Sequence, residues 1–196
     1  MALGEPELSH GEIETIVRRI DRPIVLVGMM GVGKSSVGRK LAATLGCSFV
    51  DADEEIEAAA GMTIPEVFEA HGEGYFRDGE RRVIARLIKD GAGRDQGGHG
   101  VIATGGGAFC NAETRALILD QAIAVWLDSD IDTLVERTSR KDNRPLLRQG
   151  DPREILTRLR EQRRPAYSQA PIHVVSSNGP HGRTVQSVLR EIDRWL

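Results

Sequence analysis

Short apolar runs alternate with stretches of helical periodicity along most of this 196-residue chain. Turn-forming or polar residues bound each apolar run, which is typical of buried strands. Between the runs, apolar residues recur at intervals of three and four, which predicts amphipathic helices. The regular alternation predicts an α/β fold with a parallel sheet that is covered by helices on both faces. The predicted strands lie at 24–27, 48–50, 101–104, 122–127 and 171–175.

An extension precedes the first strand. In residues 1–21, Ser9 and Glu12 have the spacing of a helix-capping box, and the apolar residues that follow them recur at helical intervals. We expect this helix to pack on the surface of the domain rather than to recruit a partner.

The segment between the second and third strands is longer than a simple crossover needs. Residues 51–90 carry helical patterns that are interrupted at Gly61 and again by a turn at 71–74, with a last helix at 75–89. We interpret 51–90 as a substrate-binding helical region. The glycine-rich residues 91–100 are typical of a surface loop without a catalytic role.

Composition restricts the classes of function. The length suits one domain, 1–196, and the net charge of −3 argues against a general nucleic-acid or membrane-surface binder. Cys47 and Cys110 have no metal-binding or redox spacing. No signal peptide is visible, and no uncharged apolar run has the length of a membrane span. A cytoplasmic enzyme fits these limits.

The clearest chemical motif follows the first predicted strand. The sequence GMMGVGKS at 28–35 matches G-x-x-x-x-G-K-S and leads directly into a helical pattern. Glycines allow the backbone to turn its N–H groups inward, and the start of a helix adds further unpaired N–H groups. Lys34 can reach the β- and γ-phosphates, and the Ser35 hydroxyl is placed to bind Mg²⁺. The motif therefore predicts a nucleoside triphosphate site.

Two more strand ends carry candidate site residues, and ligands of parallel sheets bind at this edge. Asp51 and Asp53 end the second strand, so one carboxylate can hold Mg²⁺ through water while the other accepts hydrogen bonds or a proton from a hydroxyl. The alternative is that both only cap the next helix. Residues 105–107 are three successive glycines, which allow close approach of a ligand to the backbone, although a simple turn is an alternative.

A second aspartate competes for the metal. Asp128 follows the apolar run 123–127, an arrangement that often holds Mg²⁺ in phosphate-loop proteins. It also directly precedes a marked helix start, so local capping explains it, and we favour Asp51 as the metal partner.

A locally basic stretch covers residues 137–164, in a chain that is acidic overall. A positive field suits polyphosphate, and the aperiodic residues 138–150 can form a lid that excludes water from the phosphoryl group. A solvated basic helix face is the alternative.

An ordered set of motifs resembles the shikimate kinase family from about Arg22 to the C-terminus. The motifs are GMMGVGKS at 28–35, FVDAD at 49–53, GEGYFR at 72–77, TGGGA at 104–108, RPLL at 144–147 and RRPAY at 163–167. The resemblance implies a single phosphate-loop kinase domain with a five-stranded parallel sheet of order 2-3-1-4-5, a helical insertion for shikimate and a mobile lid. The 91–100 loop and the N-terminal helix depart from the family pattern without touching a motif.

The resemblance also implies roles for individual residues. ATP would be held by Gly31, Val32, Gly33, Lys34, Ser35, Ser36, Arg137 and Arg144, with Arg137 stacking on adenine and Arg144 stabilising the transferring phosphate. Shikimate would be bound by Asp53, Arg77, Gly105, Gly106, Gly107 and Arg163, with the two arginines clamping its carboxylate. Lys34, Asp53 and Arg144 would be catalytic, and Mg²⁺ would be bound by Ser35 and, through water, by Asp51.

The expected reaction is Mg²⁺-dependent phosphorylation of the 3-hydroxyl of shikimate by ATP, in aromatic amino-acid biosynthesis, by a monomeric enzyme. A gluconate-type sugar-acid kinase is the nearest alternative, because its substrate also has a carboxylate and hydroxyls. A nucleotide-sensing module without turnover is a different class. Guanine-specific switches need an Asn-Lys-x-Asp segment, and the sequence has none.

Overall fold

Five parallel strands form the central sheet of the computed structural model, which describes residues 6–91, 99–139, 150–176 and 181–196. The strands are β1 (Ile24–Val27), β2 (Phe49–Asp51), β3 (Val101–Ala103), β4 (Ile123–Asp128) and β5 (Ile172–Val175). Their order is β2-β3-β1-β4-β5, which confirms the predicted fold and strand order.

The register of the sheet places β1 in its centre. Leu26 of β1 lies opposite Ala103 of β3 on one side and Val125 of β4 on the other. Every residue of these three strands is buried, although successive side chains point to opposite faces. Both faces of the central strands are therefore covered, which explains their continuous apolar runs. The edge strand β5 instead alternates buried and exposed residues.

Eight helices of the described residues surround this sheet. They are α1 (His10–Arg19), α2 (Lys34–Leu45), α3 (Ala52–Ala60), α4 (Ile64–Lys89), α5 (Ala112–Gln121), α6 (Ile131–Ser139), α7 (Pro152–Tyr167) and α8 (His181–Trp195). A short 3-10 turn, Ala108–Cys110, precedes α5. None of these described helices has both the length and the apolar character needed to cross a membrane.

Local sequence signals begin and end several of these helices as expected. Ser9 and Glu12 form the predicted capping box of α1. Gly61, at a φ of 64°, ends α3, and this left-handed conformation is one that glycine adopts without steric cost. Ile16 of α1 and Ile20, the residue that caps its C-terminal end, belong to the main core, so the N-terminal extension packs on the domain as predicted.

The interruption predicted at 71–74 is found as a kink at Gly72, between two helical segments of α4. Helical structure continues on both sides of Gly72, which alone departs from helical angles, with φ 80° and ψ 175°. One glycine at positive φ kinks α4 because it has no Cβ to clash there. Helices α3 and α4 also enclose a separate small apolar cluster of Ile56, Val67 and Phe76.

Two leucines, one buried and one exposed, provide a test of where the core lies. Leu41 of α2 is fully buried, whereas Leu119 of α5 is 37% exposed. Leu41→Ala should lower the free energy of unfolding by about 2–5 kcal/mol, because it removes buried methyl groups and leaves a cavity. Leu119→Ala should change it by about 0.5 kcal/mol. Urea denaturation of both variants measures the difference, and equal effects would contradict the assigned core.

Candidate active site

The phosphate loop joins β1 to α2, as the motif predicts. Gly28, Gly31 and Gly33 all have positive φ, at 137°, 81° and 100°. At Gly28 a Cβ would lie 2.2 Å from the carbonyl oxygen of Leu127, so a side chain is excluded as well as strained. Helix α2 begins at Lys34 without a side-chain cap, which leaves its first N–H groups for an anion.

Lys34 turns back over this loop. Its Nζ donates hydrogen bonds to the carbonyl oxygens of Gly28 at 2.7 Å and Met29 at 2.9 Å. Val32 is buried beneath the loop, and Ser36 is exposed in the first turn of α2. The ammonium group is therefore held over the loop, where a bound polyphosphate would lie.

Ser35 and Asp51, which the sequence connects with Mg²⁺, lie together. Ser35 Oγ donates to Asp51 Oδ2 at 2.7 Å, while Oδ1 accepts the N–H of Asp53 at 3.1 Å. Asp51 is therefore the N-cap of α3, as the capping alternative expected. The cap uses Oδ1, and Oδ2 faces Ser35. Among the described residues there is no cluster of three or more His, Cys, Asp or Glu side chains suited to a metal. One hydroxyl and one carboxylate nevertheless fit Mg²⁺, which takes its other ligands from water and phosphates.

The competing aspartate, Asp128, is occupied by protein partners. Both of its oxygens accept hydrogen bonds from Arg160, at 3.0 and 3.2 Å. The cap of α6 is instead Asp130, which accepts the N–H of Thr133 at 2.8 Å. The expectation that Asp128 caps this helix is therefore wrong, because the carboxylate lies at the strand end and points towards α7.

The glycine turn at 105–107 brings the predicted substrate residues together. A Cβ on Gly105 would lie 2.7 Å from Asp53 Oδ1. A Cβ on Gly106 would lie 3.0 Å from Arg163 Nη1, and a Cβ on Gly107 would lie 2.5 Å from Arg77 Nη2. The three charged groups thus occupy the space that side chains here would fill, and close approach is the reason for glycine.

This turn also adjoins the phosphate loop. The same Cβ position at Gly106 lies 3.4 Å from the backbone nitrogen of Met30 and 3.7 Å from the carbonyl oxygen of Gly28. The two halves of the site, one with Lys34 and one with the arginines, therefore adjoin each other.

The two arginines differ in their partners. Arg77 donates to Glu80 at 2.7 Å and to Glu73 at 3.4 Å. Arg163 Nη1 is buried, and no described residue accepts a hydrogen bond from it. A buried unpaired guanidinium N–H is costly, so this atom is suited to an anionic ligand.

Glu80 and Tyr167 were not predicted as site residues. Glu80 is only 1% exposed, and its i,i+3 spacing from Arg77 on one helix could have revealed the pair. The Tyr167 hydroxyl donates to the carbonyl oxygen of Gly106 and so supports the glycine turn. Tyr167 belongs to the RRPAY motif, but that motif alone does not indicate the hydrogen bond.

Burial changes the acidity of the site carboxyls. Burial, with the neighbouring Asp51 second, raises the pKa of Asp53, and Lys34 opposes this shift. Burial also raises the pKa of Glu80 despite its pairing with Arg77. Both carboxyls are therefore better proton acceptors near neutral pH than exposed ones.

Arg137, which the sequence predicts to bind ATP, lies beside the phosphate loop. Arg137 Nη1 donates to the Val32 carbonyl oxygen at 3.0 Å. The ring of His181, which was not predicted, lies beside Gly33, where a Cβ would be 3.4 Å from its Cε1. Its Nδ1 is buried with no hydrogen-bond partner in the described parts of the chain. Arg144 and most of the 138–150 segment lie outside the described residues, as does most of the 91–100 loop.

A glycine-rich phosphate loop, a helical insertion and a group of charged side chains with two arginines at one sheet edge are typical of a phosphate-loop kinase of small molecules. Comparisons with known proteins identify the family within this class. The model of the family "Shikimate kinase" matches residues 30–193. A shikimate kinase of Novosphingobium aromaticivorans is 65% identical over 189 residues, 96% of each chain. The chain belongs to the shikimate kinase family.

Solved structures agree with this assignment. Shikimate kinase from Acinetobacter baumannii in complex with shikimate matches with a TM-score of 0.78 and 34% identity, over 91% of this chain and 97% of that one. A gluconokinase from Sinorhizobium meliloti matches with a TM-score of 0.60 and 20% identity, over 91% and 95%. The second likeness shows a shared fold alone.

The raised pKa of Asp53 predicts a pH-dependent effect on stability. A carboxyl whose pKa is raised by folding destabilises the folded state when ionised, and this cost vanishes as pH falls towards the pKa of the unfolded chain. Asp53→Asn should therefore raise Tm at about pH 8, and the gain should narrow towards about pH 4. Thermal unfolding across this range measures it, with Asp120→Asn, an exposed carboxyl of α5, as the control. A gain independent of pH would contradict the prediction.

Proposed function

We propose that this protein transfers the γ-phosphoryl group of ATP to the 3-hydroxyl of shikimate, giving shikimate 3-phosphate and ADP in aromatic amino-acid biosynthesis. The observation that carries the proposal is the convergence of Asp53, Arg77 and Arg163 on the 105–107 turn, next to the phosphate loop. Family membership supports the same reaction.

The acceptor half of the site suits an anionic ring compound with hydroxyl groups. Arg77 and Arg163 bind the shikimate carboxylate, for which planar guanidinium groups are well suited. The Arg163 Nη1 gains a partner when the carboxylate arrives. Asp53 accepts hydrogen bonds from the ring hydroxyls and takes the proton of the attacking one, while the backbone of 105–107 contacts the ring.

The donor half binds the triphosphate. The backbone of 31–36 and the Lys34 ammonium hold the phosphates, and Arg137 contacts the adenine end. Ser35 and, through water, Asp51 would hold Mg²⁺, which would neutralise charge on the phosphates. Catalysis then consists mainly of positioning and charge stabilisation.

The helical region and the lid that the sequence predicts keep their roles in this proposal. Residues 51–90 form the substrate-binding helical region, and 138–150 form a lid whose Arg144 stabilises the transferring phosphate. We further propose that the enzyme acts as a monomer. We also propose a cytoplasmic location, where the ATP for this reaction is available.

A substrate panel tests the reaction. With ADP release coupled to a spectroscopic readout, shikimate should be turned over, and gluconate should be at or near background. Lys34→Ala should lower kcat by about 10²–10³-fold, since it removes a charge that stabilises the transition state. Its unfolding temperature serves as the control for folding. Turnover of gluconate in preference to shikimate would reject the proposal.

The carboxylate clamp has its own test. Arg77→Ala and Arg163→Ala should each weaken shikimate binding by about 10- to 100-fold, the usual worth of a charge-assisted hydrogen bond. ATP binding should change little, because neither guanidinium contacts the phosphate loop in the proposed arrangement. Calorimetric titration with each ligand separately measures both affinities. Unchanged shikimate affinity in either variant would overturn the clamp.

A further inference from the structure

Helix α7 is attached to the carboxyl edge of the sheet at two points. Near its C-terminal end, the Tyr167 hydroxyl donates to the Gly106 carbonyl oxygen. In its middle, Arg160 reaches Asp128 at the end of β4. Arg163, which contacts the glycine turn, lies on the same helix between these two attachments.

The Asp128–Arg160 contact is a well-defined ion pair. The Asp128 side chain is only 11% exposed. Its Oδ1 accepts the N–H of Ser129 at 2.8 Å, and Arg160 Nη2 lies 3.2 Å from Oδ1 and 3.0 Å from Oδ2. His173 of β5 adds a third contact, with Nε2 at 3.5 Å from Oδ2. Hydrogen bonding on both oxygens fixes the orientation of the carboxylate and of the guanidinium it holds.

Helical geometry couples this pair to the substrate site. Arg160 and Arg163 are separated by three residues, so they lie on the same side of α7, about one turn apart. A shift of α7 along the sheet edge that breaks the Asp128 contact would therefore also move Arg163 away from Gly106.

We propose that Asp128 and Arg160 are positioning residues for the acceptor, and that their ion pair holds α7 where Arg163 can bind the substrate carboxylate. The inference rests on the proposed function, because it needs a carboxylate substrate at Arg163. It also gives Asp128 a role other than metal binding, although its place at a strand end resembles that of a metal ligand.

Stability alone does not account well for such a pair. The pair is only partly buried, with 32% of the Arg160 side chain and 11% of the Asp128 side chain exposed. Such ion pairs often contribute little to stability, since desolvation and contact with water offset their attraction. What they do provide is a specific geometry, because a guanidinium and a carboxylate match only in a few orientations. A requirement for the exact placement of Arg163 explains why a charged pair occupies this position.

The test compares Michaelis constants for the two substrates. Arg160→Gln should raise KM for shikimate by about tenfold, since a misplacement of ~1 Å in a binding group can cost up to about 10²-fold. KM for ATP and the Mg²⁺ dependence should stay close to wild type. Arg158→Gln, an exposed arginine of the same helix, is the matched control and should leave both constants unchanged.

Two further variants separate positioning from folding. Asp128→Asn combined with Arg160→Gln removes both charges and leaves no unpaired carboxylate, so it should fold while still raising KM for shikimate. Arg160→Lys should restore part of the affinity for shikimate, because it keeps a positive charge beside Asp128. The restoration should be incomplete, because an ammonium group does not match both carboxylate oxygens as a guanidinium does. A folded double variant with wild-type KM for shikimate would overturn the inference, and so would a raised KM for ATP or an altered Mg²⁺ requirement in that variant.

The wild-type protein distinguishes this inference from the proposed function. If wild type does not bind or phosphorylate shikimate, the proposed function fails and the inference fails with it. If wild type is active and Arg160→Gln is indistinguishable from Arg158→Gln, only the inference fails. Calorimetric titration of shikimate without ATP gives the same comparison independently of turnover.

Discussion

The proposed acceptor site depends on one constraint, which is the close approach of charged side chains to a turn made of three glycines. Asp53, Arg163 and Arg77 come from three different helices and meet at 105–107, where any Cβ would lie 3.0 Å or less from one of them. Three side chains can converge on such a small volume only because the turn has none of its own. The turn is held in place from outside, through the Tyr167 hydroxyl.

This convergence places several charges in a partly buried space. Arg77 is paired with Glu80, so its guanidinium is oriented before any ligand arrives. Arg163 keeps a buried N–H without a described acceptor, and Asp53 lies close enough to Asp51 for its pKa to rise. A desolvated carboxylate and a buried N–H without an acceptor both lower the stability of the folded protein. The site is thus organised for binding at some expense to the fold.

The sheet edge joins the two halves of the reaction. The phosphate loop follows β1 and the glycine turn follows β3, and these strands are neighbours. Because β1 and β3 pair in parallel, their carboxyl ends meet at the same edge, which brings phosphoryl donor and acceptor side by side. Helix α7 crosses this edge from Asp128 to Gly106 and carries Arg163 between them.

Much of this could be predicted from the sequence, because the signals are local. Apolar runs indicated the five strands, glycine and lysine spacing indicated the phosphate loop, and the capping box of α1 needs only Ser9 and Glu12. The ordered motifs indicated the family and named the groups that converge on the glycine turn. Their roles in binding remain predictions.

Other features depend on contacts between distant residues, which no local pattern records. The partner of Asp128 is Arg160, 32 positions later, and only the packing of α7 on β4 brings them together. The burial of Glu80 and the raised pKa of Asp53 likewise arise from neighbouring elements that exclude water. The sequence by itself therefore determined the elements and the chemical groups. Tertiary packing decided which charges meet, because desolvation and distance, rather than residue type, set the strength of an electrostatic interaction.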